Sequence, residues 1–330
     1  MTPIAPLITD FLREHLPLTQ GVSPPTCDTS AHAFRLLFTV ASARLGCRPS
    51  QPQLEPLDAA LILAFLGHLE QQRGNTPPTR NSRLTAIKAF MRSVELRVPG
   101  ALAQAGQLHA IPRKRYGQAL VRHLSLVEIR ALLNAPDVTT RLGIRDRAML
   151  HLGFAGGRRV SELVGLPLDH LSLRPPPSIR VTGKGRRGRC LPLWTATAAD
   201  LRAWLAVRGA VPAPELFVNA GGTAMTRAGF EYVLAKHARA AAATCPSLQG
   251  RSVGPQQLRH SCAVIMLQAT RDIRKVALWL DHADLRTTEM YLRVDPTEKL
   301  EAVEAVSPPS LRRGRFTAPD ASIAALLDRE

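Results

Sequence analysis

Between Gly254 and Val294 the chain reads GPQQLRHSCAVIMLQATRDIRKVALWLDHADLRTTEMYLRV, which carries a guanidinium at Arg259, an imidazole at His282, and a phenol at Tyr291. Each group has a distinct use. A guanidinium forks onto two oxygens of an oxyanion, and imidazole moves protons near neutral pH. A phenol, which ordinarily ionises near pH ~10, becomes an adequate nucleophile when cations lie close by. Together they suit attack on a phosphodiester, whose charge repels a nucleophile and whose alkoxide leaves poorly.

These groups need elements to bring them together. Pro255 suits an opening helical turn, and Leu258, Cys262, Ile265 and Met266 recur at helical spacing as a buried stripe, leaving Gln256, Arg259 and His260 on the other face. A second helix carries Ile273, Val276, Ala277 and Leu280 inward and runs out at Asp281-His282, so His282 sits at a helix end. Tyr291 follows nine residues later, after Thr287-Thr288, either of which suits the cap of a third helix.

The order Q-Q-L-R-H, L-D-H, T-T-E-M-Y resembles the C-terminal signature of the tyrosine recombinases, the phage-integrase family, whose pattern is roughly H-x-L-R-H, L-G-H and T-T-x-x-Y. Upstream, A-G-G-R-R-V-S-E-L resembles the family's T-G-x-R-x-S-E-L. The resemblance implies catalytic roles for Arg159, Arg259, His282 and the nucleophile Tyr291. It places Lys184, in the G-K-G-R-R-G turn of a hairpin, at the family's β-hairpin lysine. It departs at Gln256, which stands at the family's first histidine: an amide can hydrogen-bond a phosphate oxygen but is no base near neutrality. Arg158 is the decoy beside Arg159, and Ser161 and Glu162 are read as fixing the turn. G-K-G-R-R-G also satisfies a dinucleotide-binding pattern, but the strand-like R-C-L-P-L follows it where that fingerprint must open a helix.

The mechanism so implied is transesterification. Arg159 and Arg259 hold the two non-bridging oxygens, Lys184 protonates the leaving 5′ oxygen, His282 donates to the phosphate or orients the nucleophile, and Tyr291 ends in a 3′-phosphotyrosine bond that stores the energy of the broken strand. No ATP, metal or other cofactor is expected, because the sequence offers no carboxylate cluster for Mg²⁺.

Lys and Arg exceed Asp and Glu by 43 to 26, an imbalance that self-repels unless a polyanion is the partner. Both parts of the chain are basic, 13 against 7 through Gln118 and 30 against 19 beyond it, which fits a clamp on duplex DNA. An arginine-rich soluble protein would share the charge without the DNA. The five cysteines show no C-x-x-C pair, so reduced thiols are expected rather than a disulfide framework or zinc site. The chain lacks a membrane-length apolar run and its start does not resemble a secretory signal, so a cytoplasmic protein is expected.

Toward the N-terminus, Phe34, Leu37, Phe38, Ala41 and Leu45 mark one helix, Asp58 caps a second carrying Ile62, Phe65, Leu66 and Leu69, and Leu84, Ile87, Phe90, Met91 and Val94 mark a third. Arg80, Arg83, Lys88 and Arg92 on the third are candidate phosphate contacts, as are Arg113-Lys114-Arg115 in a weakly patterned connection and Arg186 and Arg187 on the hairpin. Ser125 and Glu128 form a capping box for the helix that follows the connection.

The expectation is a mainly α protein with a small β component (α+β). Residues 1–98 form a helical core-binding domain, 99–122 a linker, 123–305 a mixed helical catalytic domain with a small antiparallel sheet, and 306–330 a tail whose Ile323, Leu326 and Leu327 dock on a neighbouring subunit. The expected function is site-specific DNA recombination, in integration, excision or transposition, within a homo- or hetero-tetrameric synapse that can include sister recombinases. Two other readings stand beside it. One is a catalytically weak DNA-binding partner of a related recombinase, the other a type IB topoisomerase.

Overall fold

The computed structural model describes residues 2–46, 53–117, 120–182, 188–282 and 284–293. The chain divides into two compact units, Met1–Gln118 and Ala119–Glu330. It is mainly helical with one small antiparallel sheet, the α+β class expected.

The first unit contains α1 (Ile4–Asp10), a π-helical stretch (Phe11–Thr19), α2 (Pro24–Leu45), α3 (Ala59–Gln71), α4 (Pro77–Glu95) and α5 (Leu102–Ala110). Prolines open α2 and α4, where their missing N–H groups cost no helical bond. Asp58 caps α3 by accepting the Leu61 N–H at 2.7 Å, an interaction worth about 1 kcal/mol. The core is built around Phe11, Phe34 and Phe90, with ring centroids 5.3 to 6.0 Å apart in edge-on pairs. The three helices read from the sequence form, and α1 with the π-helical stretch adds a layer that the sequence pattern does not signal.

The connection expected from residue 99 begins later than that. A short turn at Pro99–Ala101 leads into α5, and Ala101, Ala105, Leu108 and Ile111 are buried in the first unit's core. Pro99, Gly100, Gly106 and Pro112 weaken the periodicity, and two of the buried positions are alanines, a faint apolar signal.

The second unit opens with α6 (Leu126–Asn134), where the expected capping box forms: Ser125 Oγ accepts the Glu128 N–H at 3.3 Å and Glu128 Oε2 accepts the Ser125 N–H at 2.8 Å. Then come α7 (Arg141–Ala155), α8 (Val160–Val164) and strands β1 (Leu171–Ser172), β2 (Ser178–Thr182) and β3 (Gly188–Pro192). The sheet runs β1-β2-β3, all antiparallel, with Ile179 opposite Leu191. After it come α9 (Thr195–Arg208), α10 (Arg227–Ala241), α11 (Pro255–Thr270) and α12 (Ile273–Leu280). The main core surrounds α7, while Ala263, Val264, Leu267, Val276, Leu280 and Tyr291 form a separate cluster.

The third helix expected before Tyr291 is replaced by two short 3₁₀ turns, Leu285–Thr287 and Glu289–Tyr291. Asp284 caps the first of them through the Arg286 N–H at 2.9 Å. Thr288 stands at the N-cap position of the second, but its side chain does not cap it: it is fully buried and its hydroxyl meets His282.

Candidate active site

Arg259 is the centre of the arrangement. The sequence pattern puts it on the polar face of its helix, yet it is only 3% exposed. Its Nη1 donates to the Gly157 carbonyl at 2.5 Å and its Nη2 to the Leu280 carbonyl at 2.8 Å. One side chain thereby joins α11 to the turn after α7 and to the end of α12. A charge can be buried here because carbonyl oxygens receive its protons. Gly157 is held at φ +52, and a Cβ there would lie 2.5 Å from Leu280 Cδ2 and 3.3 Å from Cys262 Sγ. Only glycine fits such an approach.

Two residues beyond Gly157 stands Arg159, at the entry to α8. Its Nη1 donates to Glu162 Oε1 at 2.8 Å, and 41% of its side-chain surface remains exposed. The neighbouring Arg158 side chain is fully buried and shares Glu162 at 3.4 Å. Of the two arginines, Arg159 is therefore the one open to solvent. Glu162 also lies 3.4 Å from the Arg159 N–H, a bridge that fixes the turn as the sequence suggests.

His282 follows Asp281, which ends α12 in the left-handed region at φ +57. Aspartate tolerates that conformation better than most residues, so the L-D-H variant of L-G-H keeps the same backbone exit. The His282 N–H donates to Ala277 O at 3.0 Å, and Nδ1 lies 2.8 Å from Thr288 Oγ1.

Tyr291 is 1% exposed. Its ring is nearly parallel to that of His282, 9° and 6.5 Å between centroids, and set edge-on to that of His260 at 5.6 Å. Its hydroxyl is 2.9 Å from His260 Nδ1. Burial pushes the phenol up to about 12 against a smaller opposing pull from Arg259. Burial, helped by Arg259 and His123, brings His260 down to about 4, so the imidazole is neutral at pH 7. His260 is the site residue to which the sequence alone assigns no role. Its signal is its place, adjacent to Arg259 and one helical turn beyond Gln256.

Gln256 lies exposed in the first turn of α11. Lys184, Arg186 and Arg187 lie outside the described residues. In the first unit, three of the expected phosphate contacts are turned to the protein itself. Arg80 is buried, 3.8 Å from Glu70 and 3.2 Å from Asn81 Oδ1. Lys88 donates to His109 O and Ile111 O at 2.8 and 2.6 Å, and Arg83 to Thr29 O at 3.1 Å. Arg92, Arg113, Lys114 and Arg115 are exposed, although Lys114 Nζ also donates to Glu70 Oε1 at 2.8 Å. Burial, then Arg113 and Arg92, lowers the Lys88 pKa.

The phage integrase family model matches residues 122–298, the segment that carries every one of these active-site groups. The chain belongs to the phage integrase family. This integrase-family chain is 39% identical to y4rC of Sinorhizobium fredii, a protein provisionally named an integrase/recombinase, over 98% of both chains. It is 38% identical to tyrosine recombinase XerD of Pseudomonas aeruginosa, over 88% of this chain and 93% of that one. Its fold is similar to that of the XerH site-specific recombinase solved on a palindromic difH substrate after cleavage. The TM-score is 0.65 at 22% identity, over 86% of this chain and 81% of that one. The chain is thus a tyrosine recombinase, a DNA strand-exchange enzyme whose activity is DNA recombination. No helix among its described residues is long and apolar enough to cross a membrane.

Proposed function

We propose that Tyr291 attacks the scissile phosphate of a duplex site to give a 3′-phosphotyrosine link, with Arg159 and Arg259 on the non-bridging oxygens. Lys184 is the proton donor to the leaving 5′ oxygen. His282 bonds the phosphate or steers the phenol, and Gln256 hydrogen-bonds a phosphate oxygen where the family has a histidine. The observation that supports this reading is the bonding of Arg259 to the carbonyls of Gly157 and Leu280, each two residues from another proposed catalytic group.

In this reading the second unit carries catalysis through residue 305, with Arg186 and Arg187 along the backbone. The first unit grips duplex DNA through Arg92 and the Arg113-Lys114-Arg115 run. XerH was solved on a palindromic substrate, and a two-fold site fits paired protomers in a tetrameric synapse, of this chain alone or with sister recombinases. The tail residues Ile323, Leu326 and Leu327, outside the described residues, are proposed to dock on the next subunit. The protein acts in the cytoplasm, in integration, excision or transposition.

The test begins with a duplex selected from a randomised pool by gel shift, then nicked beside the cleavage position so that religation fails. The enzyme forms an attachment to this DNA that survives SDS. Binding without attachment would favour a non-catalytic partner. Relaxation of supercoils at no preferred sequence would favour a topoisomerase.

A further inference from the structure

We infer that His260 is the proton acceptor for the attacking phenol, a role that rests on the assignment of Tyr291 as nucleophile. The family's histidine position is filled by Gln256, an exposed amide with no basic lone pair near neutrality. One turn along the same helix, His260 places Nδ1 2.9 Å from the Tyr291 hydroxyl, within the range of direct proton transfer. The two rings are tilted by 60° with centroids 5.6 Å apart, so the imidazole does not stack on the phenol. His282, the other imidazole beside Tyr291, is stacked on the ring face, and its Nδ1 is engaged by Thr288.

The step balances with groups already named. The Oη–H bond breaks and its proton passes to Nδ1, and the freed electron pair forms the Oη–P bond. The P–O5′ bond breaks, and the departing 5′ oxygen takes a proton from Lys184. Religation runs the same transfers backward, His260 returning its proton to Tyr291. Among the described residues, the charged and titratable groups facing the imidazole are Arg259 on its own helix, His123 from the segment before α6, and Tyr291. In the DNA-free protein burial, with a smaller push from Arg259, holds His260 neutral and so ready to accept. A phosphate that takes up the charge of Arg259 removes that smaller push, and the phenol becomes a stronger acid as it bonds to phosphorus.

The test compares wild type with His260→Asn, whose shorter amide reaches the same hydroxyl but accepts no proton, in single-turnover cleavage of the selected, nicked duplex across pH 6 to 9. Gel-shift affinity and melting temperature of the variant are measured beside it, and His260→Ala serves as a second variant. Loss of a general base predicts cleavage about 10²-fold slower at pH 7. The variant's rate climbs with pH as solvent hydroxide takes over, while that of wild type is flatter. A second substrate with sulfur in place of the leaving 5′ oxygen needs no proton donor, and the His260→Asn defect persists on it. Wild-type rate and profile in the variant, faster cleavage by it, or rescue by sulfur would each overturn the inference. The Tyr291 assignment fails separately, by an adduct that survives Tyr291→Phe.

Discussion

Arg159 and Arg259 bring the same group to the site in opposite settings, and their variants should differ accordingly. Replacing either by alanine removes a donor from the developing charge, at a cost of roughly 3–4 kcal/mol of barrier, or about 10² to 10³ in cleavage rate. Only Arg259→Ala should also lower the melting temperature, because it strands two buried carbonyls, whereas Arg159 is partly exposed and pairs with Glu162 of its own turn. Single-turnover rates read beside thermal melts separate the two effects. Gln256→His supplies a second base on the same helix face and should raise the cleavage rate; no gain would mean that His260 already suffices or that the site is tuned otherwise.

His260 also predicts an acid limit to stability. Its folded value of about 4 lies below the ordinary histidine value of 6.5, so the unfolded chain takes up its proton first as the pH falls. The contribution is present above pH 6.5 and is lost on descent toward pH 4. It amounts to at most about 3 kcal/mol, and less for a half-buried ring. Denaturant melts across that window should show a shallower fall for His260→Asn. At this scale the sequence discloses residue types and order, and it cannot disclose direction. Arg259 on a nominally polar face turns inward because two carbonyls from distant segments meet there, a coincidence that exists only after folding.

Among the elements, α11 organises the site: it carries Arg259 and His260, and its Ala263, Val264 and Leu267 pack with Tyr291. The turn at Gly157 is its counterpart. Gly157→Ala should destabilise the protein by roughly 2 kcal/mol or more, through left-handed backbone strain and the clash with Leu280. Cleavage should fall with it, since Leu280 precedes His282 by two residues. A melting temperature equal to wild type would contradict that packing. Long helices with strong apolar stripes, such as α3 and α4, are legible in the sequence, as are the hairpin strands and the capping box at Ser125. Helix α5 reads as linker because alanines and a glycine blur its stripe. The approach to Tyr291 reads as helix because its threonines resemble caps, although buried Thr288 instead bonds His282. The polar face of α4 reads as a DNA surface, yet Arg80 and Lys88 hold the chain around Ile111 and Pro112. Periodicity cannot tell a cation that meets phosphate from one that meets its own backbone.

For the whole molecule, an excess of 17 positive charges predicts binding governed by counterion release. With six or more phosphate contacts, affinity for the selected duplex should weaken by about 10³-fold or more between 50 and 200 mM salt; a flat salt series would remove DNA as the reason for the charge. The central claim is that a phenol from the end of the described chain reaches a phosphate held by two arginines that lie far apart in sequence. It is tested most directly by digesting the SDS-stable complex of enzyme and nicked duplex and locating the nucleotide-bearing peptide by mass spectrometry. Of the three tyrosines, Tyr116, Tyr232 and Tyr291, the account predicts a 3′-phosphotyrosyl nucleotide on Tyr291. The same nucleotide on Tyr116 or Tyr232, or no covalent peptide at all, would contradict it.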